Sequence, residues 1–208
     1  IRGGKKKLDK FYPRSFNMGI KRDVYSKLNG FSDMRFGEDI DFSIRIFKSG
    51  YKRRLFPDAW VWHKRRTDFK KFWRQVFNSG IARINLYKKY PESLKLVHLL
   101  PMVFTVGMIF LFTLCVAGIT TMLIADEGKW QTAGYVMTLC ASLPIILYCL
   151  LIFADSTKVN KSIKVGLLSI AAAYVQLTGY GCGFINSWWK RCVRGKDEFS
   201  AYKKTFYK

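Results

Sequence analysis

Acidic side chains are scarce: 14 Asp and Glu stand against 36 Lys and Arg, a formal net charge of +22 over 208 residues. Cysteine is sparse and badly placed for cross-links. Cys115, Cys140, Cys149, Cys182 and Cys192 make no CxxC pair, their number is odd, and all lie in the apolar half. That argues against a disulfide framework and a zinc site, and reads as small apolar residues in membrane helices. A glycine-rich phosphate loop and a GxSxG elbow are both missing. Residue 1 is Ile and no signal-peptide pattern follows, so the expectation is the C-terminal part of a longer chain. Soluble nucleic-acid binders are often this basic, but half of these residues are hydrophobic. No nucleic-acid partner is expected, because long apolar segments have no purpose there.

The two properties separate along the chain. Residues 1–95 hold 25 Lys and Arg against 9 Asp and Glu, a net of +16. The remainder holds 11 against 5, a net of +6, and nearly all the long apolar runs. Within the basic part, short strands are expected over 16–20, 51–56 and 59–62. A short helix is expected over 23–28, closed by Asn29-Gly30. A second helix is expected from Glu38 to about Lys48, stopped by Gly50, with Ile40, Ile44 and Phe47 at helical spacing. A third starts from a Thr67 or Asp68 cap and carries Phe69, Phe72, Trp73, Val76 and Phe77 toward Tyr87.

Three apolar segments follow. Residues 98–125 and 130–154 are each long enough to span hydrocarbon, for which about 20 residues suffice. The short link 126–129 makes them a hairpin. The third segment, 165–189, is interrupted by Gln176, Gly179, Gly181, Gly183 and Asn186. Charge bias puts the basic front and the lysine-bearing link 155–164 on the cytoplasmic side. A third crossing would put the basic tail, 190–208, outside, against the same rule. The third segment is therefore either re-entrant or interfacial, or it crosses against the bias.

Gly37-Glu38-Asp39 and Asp41 set three carboxylates in a basic surround, just ahead of the apolar segments. Carboxylates there suit proton transfer or metal contact; the cations suit an anionic substrate such as a phosphate ester. Asp39 sits in a helix first turn, where negative charge is favoured by the helix dipole. Within hydrogen-bond reach of a sugar hydroxyl it would act as general base. Of Glu38 and Asp39, one would face substrate while the other holds the scaffold, for example by pairing with Arg45 or Arg35; the plainer reading is an acid that caps the helix. His63 is read as a metal ligand or diphosphate contact, or as a surface histidine in a basic run. Lys64, Arg65, Arg66, Arg74 and Arg83 would stabilise charge on a departing diphosphate, or attract anionic lipid. Gln75 and Arg83, eight residues apart, would face one cleft only if their helix bends or ends near Ser79-Gly80.

Taken in order, these motifs resemble family 2 glycosyltransferases, most closely the succinoglycan-type glucosyltransferase branch. The matching runs are Phe16-Asn17-Met18-Gly19-Ile20-Lys21-Arg22, Leu28-Asn29-Gly30-Phe31, Gly37-Glu38-Asp39 with Arg45, Gly50-Tyr51 and Pro57, and His63 with Arg66, Gln75, Gly80 and Arg83. The family's QxxRW motif is incomplete, since Asn78 stands where Arg is expected. The resemblance implies an α/β fold: residues 1–95 as the C-terminal half of a cytoplasmic GT-A catalytic domain, then a helical membrane region over 96–189. It implies an inverting, multi-pass enzyme of the inner membrane that moves sugar from a nucleotide-sugar donor to a lipid-linked or saccharide acceptor. Asp39 would be the catalytic base and Glu38 its orienting partner. Asn17, Arg66, Gln75 and Arg83 would contact substrate. His63 would approach a Mg²⁺ or Mn²⁺ ion whose main ligands, a DxD motif, are expected ahead of Ile1. The alternative is a non-enzymatic, basic, membrane-anchored scaffold or assembly subunit that binds anionic lipid.

Overall fold

A computed structural model describes residues 18–52, 54–56, 58–59, 62 and 67–198, and every regular element among them is helical. The expected α/β domain, the C-terminal half of a GT-A sheet, is therefore overturned. The described residues of the expected strands (18–20, 51–52, 54–56, 59 and 62) form no ladder. A strand is stable only where its backbone groups meet a partner and one face is covered. Here the side chains that would cover a sheet are in the open: Phe56 is 59% and Trp62 91% exposed.

The helices are α1 (Arg22–Lys27), α2 (Glu38–Lys48), α3 (Phe69–Lys89), α4 (Leu100–Ile124), α5 (Lys129–Asn160) and α6 (Ile163–Trp188), the last running into a π turn at Trp189–Val193. They divide into two units. Among the described residues, one unit draws on 18–67, 81–94 and 186–198, the other on 68–80 and 95–185.

In the first unit, α2 is the centrepiece. Gly37 takes φ +90° ahead of it, a conformation that a side chain would strain, and packs beside Ala82 and Leu86. The buried face of α2 is broader than the Ile40, Ile44, Phe47 stripe that periodicity implies. Phe42, Ile44 and Ile46 are buried, whereas Phe47 is 55% exposed. Ile81, Ala82, Ile84 and Leu86 of α3 complete the apolar core. Asn29 and Gly30, at φ +54° and +61°, close α1 and turn the chain toward α2. The rings of Tyr25, Phe31 and Phe42 meet there, with centroids 5.0–6.0 Å apart.

In the second unit, α4, α5 and the helix beginning at Ile163 are each long and apolar enough to cross a membrane. Their outward side chains are apolar, for example Phe112 at 69% and Leu123 at 80% exposure. In lipid, apolar surface gives helices little reason to associate, and close packing of small residues takes over. Gly118 and Gly134 meet this way: a Cβ on Gly134 would stand 2.8 Å from the Gly118 carbonyl. Thr138 hydroxyl donates to the Gly134 carbonyl at 2.9 Å beside the same contact. Pro144 lies inside α5 without ending it, as membrane helices tolerate. The glycines expected to weaken α6 do not break it. Gly179 lies against Trp73 and Val76, Gly181 against Pro101 and Thr105, and Gly183 against Phe77. They are where neighbouring segments touch it. Asp68 caps α3, its Oδ1 accepting from the Lys70 amide at 2.6 Å.

Gly118→Leu or Gly134→Leu forces the α4–α5 backbones apart. Overpacking of this kind costs about 1–3 kcal/mol. The expected outcome is a lower unfolding temperature in detergent, read by fluorescence-detected size exclusion; an unchanged melting curve contradicts the close contact.

Candidate functional site

The acidic end of α2 holds two very different carboxylates. Asp41 is fully buried. Its Oδ2 accepts from Arg45 Nε at 2.9 Å, one helical turn on. Its Oδ1 accepts from the Tyr90 hydroxyl at 2.9 Å and meets Lys89 Nζ at 2.7 Å. Burial alone would raise this carboxyl's pKa. The hydrogen bonds of Lys89 and Tyr90, with the nearby Ser32 hydroxyl and the Lys89 charge, outweigh it and leave the group below its ordinary value. Tyr90 shifts the other way. Burial, then the hydrogen bond and charge of Asp41, push its phenol up to about 12.

Arg45 spends its remaining donors on the turn after α1. One Nη donates to the Leu28 carbonyl, the other to the Gly30 carbonyl at 2.7 Å. A planar guanidinium with five N–H groups suits such a three-way tie better than any other cation. Arg45 thus pairs with Asp41, and not with Glu38 or Asp39 as one reading of the sequence had it.

Asp39 is 8% exposed. Its Oδ1 accepts from the Ile40 amide at 2.8 Å, and its carbonyl accepts from the Ser43 hydroxyl at 2.8 Å. Glu38 is half-buried beside it. Ahead of Gly37, the Arg35 amide donates to Glu198 Oε1 at 3.0 Å, and Asn85 of α3 donates to the same oxygen at 2.9 Å. Burial raises the Glu198 pKa; the Arg35 amide and the charges of Arg191 and Lys89 act against that. Glu198 therefore ties the entry of the acidic motif to α3.

Of the other residues singled out by sequence, Asn17, His63 and Arg66 lie outside the described residues. Arg83 is half-buried in the first unit, next to the Ala82 that packs on Gly37, and its Nε finds no hydrogen-bond partner among the described residues. Gln75 is exposed and belongs to the second unit. Among the described residues no three His, Cys, Asp or Glu side chains gather as a metal donor set. Asp41 is not available for one, since a guanidinium, an ammonium and a hydroxyl already face it. Sequence reading missed Lys89, Tyr90, Asn85 and Glu198. Only the Asp41–Arg45 spacing, one turn of helix, carried a local signal.

The comparisons with known proteins bear on this chain in part. It is 37% identical over 71 residues to a Bacillus subtilis (strain 168) protein named "Probable glycosyltransferase YdaM". That stretch covers 34% of this chain and 16% of the relative, so the chain spans only a fraction of the curated protein it matches. No family model matches, and no solved structure matches.

The Asp41 cluster sets a pH window. Its folded pKa is depressed, so its stabilisation is present above the unfolded value of about 3.8 and is lost as pH falls through the folded value. Tyr90 is raised, so its contribution is full below about 10 and is lost as pH rises through about 12. Tyr90→Phe should flatten the alkaline limb of a stability-versus-pH curve relative to the parent. Arg45→Met should cost about 3 kcal/mol, as breaking a buried ion pair does, measured by chemical unfolding at neutral pH. Glu198→Ala should speed amide exchange at Arg35 about tenfold, the size of one lost hydrogen bond to a charged acceptor. Glu198→Gln, which keeps the accepting Oε1, should restore most of the protection in hydrogen-exchange mass spectrometry.

Proposed function

We propose that the chain is part of a membrane-bound inverting glycosyltransferase acting at the inner membrane, with a nucleotide-sugar donor and a lipid-linked or saccharide acceptor. The observation that carries this reading is the matched stretch shared with a protein named a probable glycosyltransferase. Placement in family 2 rests on the order of the motifs around Gly37-Glu38-Asp39. Three helices long and apolar enough to cross a membrane support action at a bilayer.

In this reading the Asp39 carboxylate takes the proton of the acceptor hydroxyl as that oxygen attacks the anomeric carbon. The bond from that carbon to the diphosphate oxygen breaks from the opposite face, and the nucleoside diphosphate leaves with the electron pair. Inversion follows from the single displacement. Glu38 orients Asp39 or the acceptor. Arg83, whose guanidinium is not consumed by a carboxylate in any described contact, supplies charge to the departing diphosphate. Asp41 is not the base: it is fully enclosed, and both of its oxygens are occupied by Arg45, Tyr90 and Lys89. A Mg²⁺ or Mn²⁺ ion, implied by the family resemblance, finds no ligand set among the described residues, and no step here runs through one.

In the full-length protein, Asp39→Asn should cut sugar transfer by about a hundredfold or more, the usual scale for a lost general base. Nucleotide-sugar binding, measured by calorimetry, should stay within about twofold of the parent, because deprotonation and donor capture are separate tasks. Normal turnover in the variant rejects Asp39 as base. The net charge of +22 also suits a non-enzymatic scaffold on anionic lipid. That reading gains if Glu38→Gln and Asp39→Asn both leave cellular function intact.

A further inference from the structure

Two independent geometries bear on which apolar helices cross the bilayer. The first is parity. Residues 18–67, 81–94 and 186–198 contribute to one unit, and Glu198 is hydrogen-bonded within it to Arg35 and Asn85. That unit is rich in charge, with Asp41, Arg45, Lys48, Lys89 and Glu92 in ion pairs, and charges of this density do not sit in hydrocarbon. It lies on one side of the membrane. The chain leaves it after Leu94 and re-enters it at Asn186, so the intervening segment crosses an even number of times. Two candidate spans and most of the third, Ile163–Val193, lie in that segment, and all three cannot cross.

The second is level, read within the other unit. α4 and α5 run antiparallel, with Gly118 against Gly134 and Phe104 against Tyr148, whose rings are 5.2 Å apart. Phe104 and Tyr148 thus mark the end of the hairpin at which α4 begins. α6 stays near that end. Gly166 packs on Phe153 and Thr157, and Ser169 meets Ser156 at 2.6 Å, roughly one to two turns beyond Tyr148. Tyr174 meets both Phe104 and Tyr148, at 5.8 and 5.6 Å. The Leu177 carbonyl and Gly181 then both meet Thr105, and Gly181 also meets Pro101. From Gly166 to Gly181 the helix is about 22 Å long, yet it advances only roughly 10 Å along the hairpin. A crossing needs about 30 Å of advance.

We propose that α4 and α5 cross the bilayer and that α6 does not, lying instead along the membrane face from which both hairpin ends emerge. Its exposed apolar residues, Ile163, Leu167 and Leu168, enter the acyl boundary. Lys158, Lys161 and Lys164, at the end where it begins, face anionic headgroups, as in-plane helices do. This placement also removes the conflict between a third span and the positive-inside rule.

The test is topology mapping of the full-length protein with reporters inserted at Glu127, at Lys161 and after Lys208. The expected result puts Lys161 and the C-terminal reporter on one side and Glu127 on the other. Lys161 and the C-terminal reporter on opposite sides, or all three on one side, overturns the proposal. Because an insertion can misfold a membrane protein, nitroxide depth measurements on Ala171→Cys and Phe112→Cys, with the native cysteines replaced by serine, give a second readout. Ala171 should lie roughly 5–10 Å below the headgroups and Phe112 near the centre, at about 15 Å. Ala171 at the centre overturns the proposal as well.

Discussion

The buried carboxylate of Asp41 is the constraint on which the first unit depends. An ionised acid removed from water is tolerated only when its lone pairs are filled by donors of opposite charge. Arg45, Lys89 and Tyr90 fill them, and each comes with its own attachment. Arg45 brings the turn after α1, and Lys89 and Tyr90 bring the end of α3. One side chain thereby sets the register between three segments that are distant in sequence. Gly37 then needs no large apolar contact to keep α2 seated, because the ion cluster and the Ala82–Leu86 surface already hold it on both sides. The cluster gains orientation more than stability, since a buried ion pair roughly breaks even against apolar packing.

In the second unit the same problem, polar groups away from water, has another answer. Thr105, Thr113, Thr120, Thr121 and Thr138 all return their hydroxyl protons to a carbonyl one turn back in their own helix. The backbone is satisfied inside each helix, and glycines let α4 and α5 approach until main chain touches main chain. Among the described residues, neither unit relies on a sheet.

Periodicity made the helices legible, because a repeat of 3.6 is visible over a few turns without knowledge of any partner. The helix beginning at Glu38, its Gly50 stop and the Asp68 cap of α3 are local signals of this kind. Strands are not local. Residues 51–62 alternate loosely and carry aromatics, but alternation becomes a strand only with a ladder to join, and no described segment offers one. The candidate base was legible for the same reason as its helix, since Gly37-Glu38-Asp39 is contiguous. The ties around it were not. Lys89 and Tyr90 look like a basic helix end followed by an aromatic, and Glu198 looks like one acid in a charged tail. Only the fold brings them to Asp41 and Arg35.

The Glu198 clamp has a consequence for biogenesis. Glu198 lies 113 residues after Asn85 and 163 after Arg35, and the whole hairpin is encoded between them. At about 5–20 residues per second, a ribosome needs roughly 6–20 s to supply the clamp once Asn85 has emerged. During that interval α4 and α5, which cross the bilayer in the proposed topology, are synthesised, while the acidic helix waits without its last fastening. In that topology the first unit is completed only after the hairpin has been made, and a nascent chain that stalls before Glu198 lacks the last fastening of the motif that it carries.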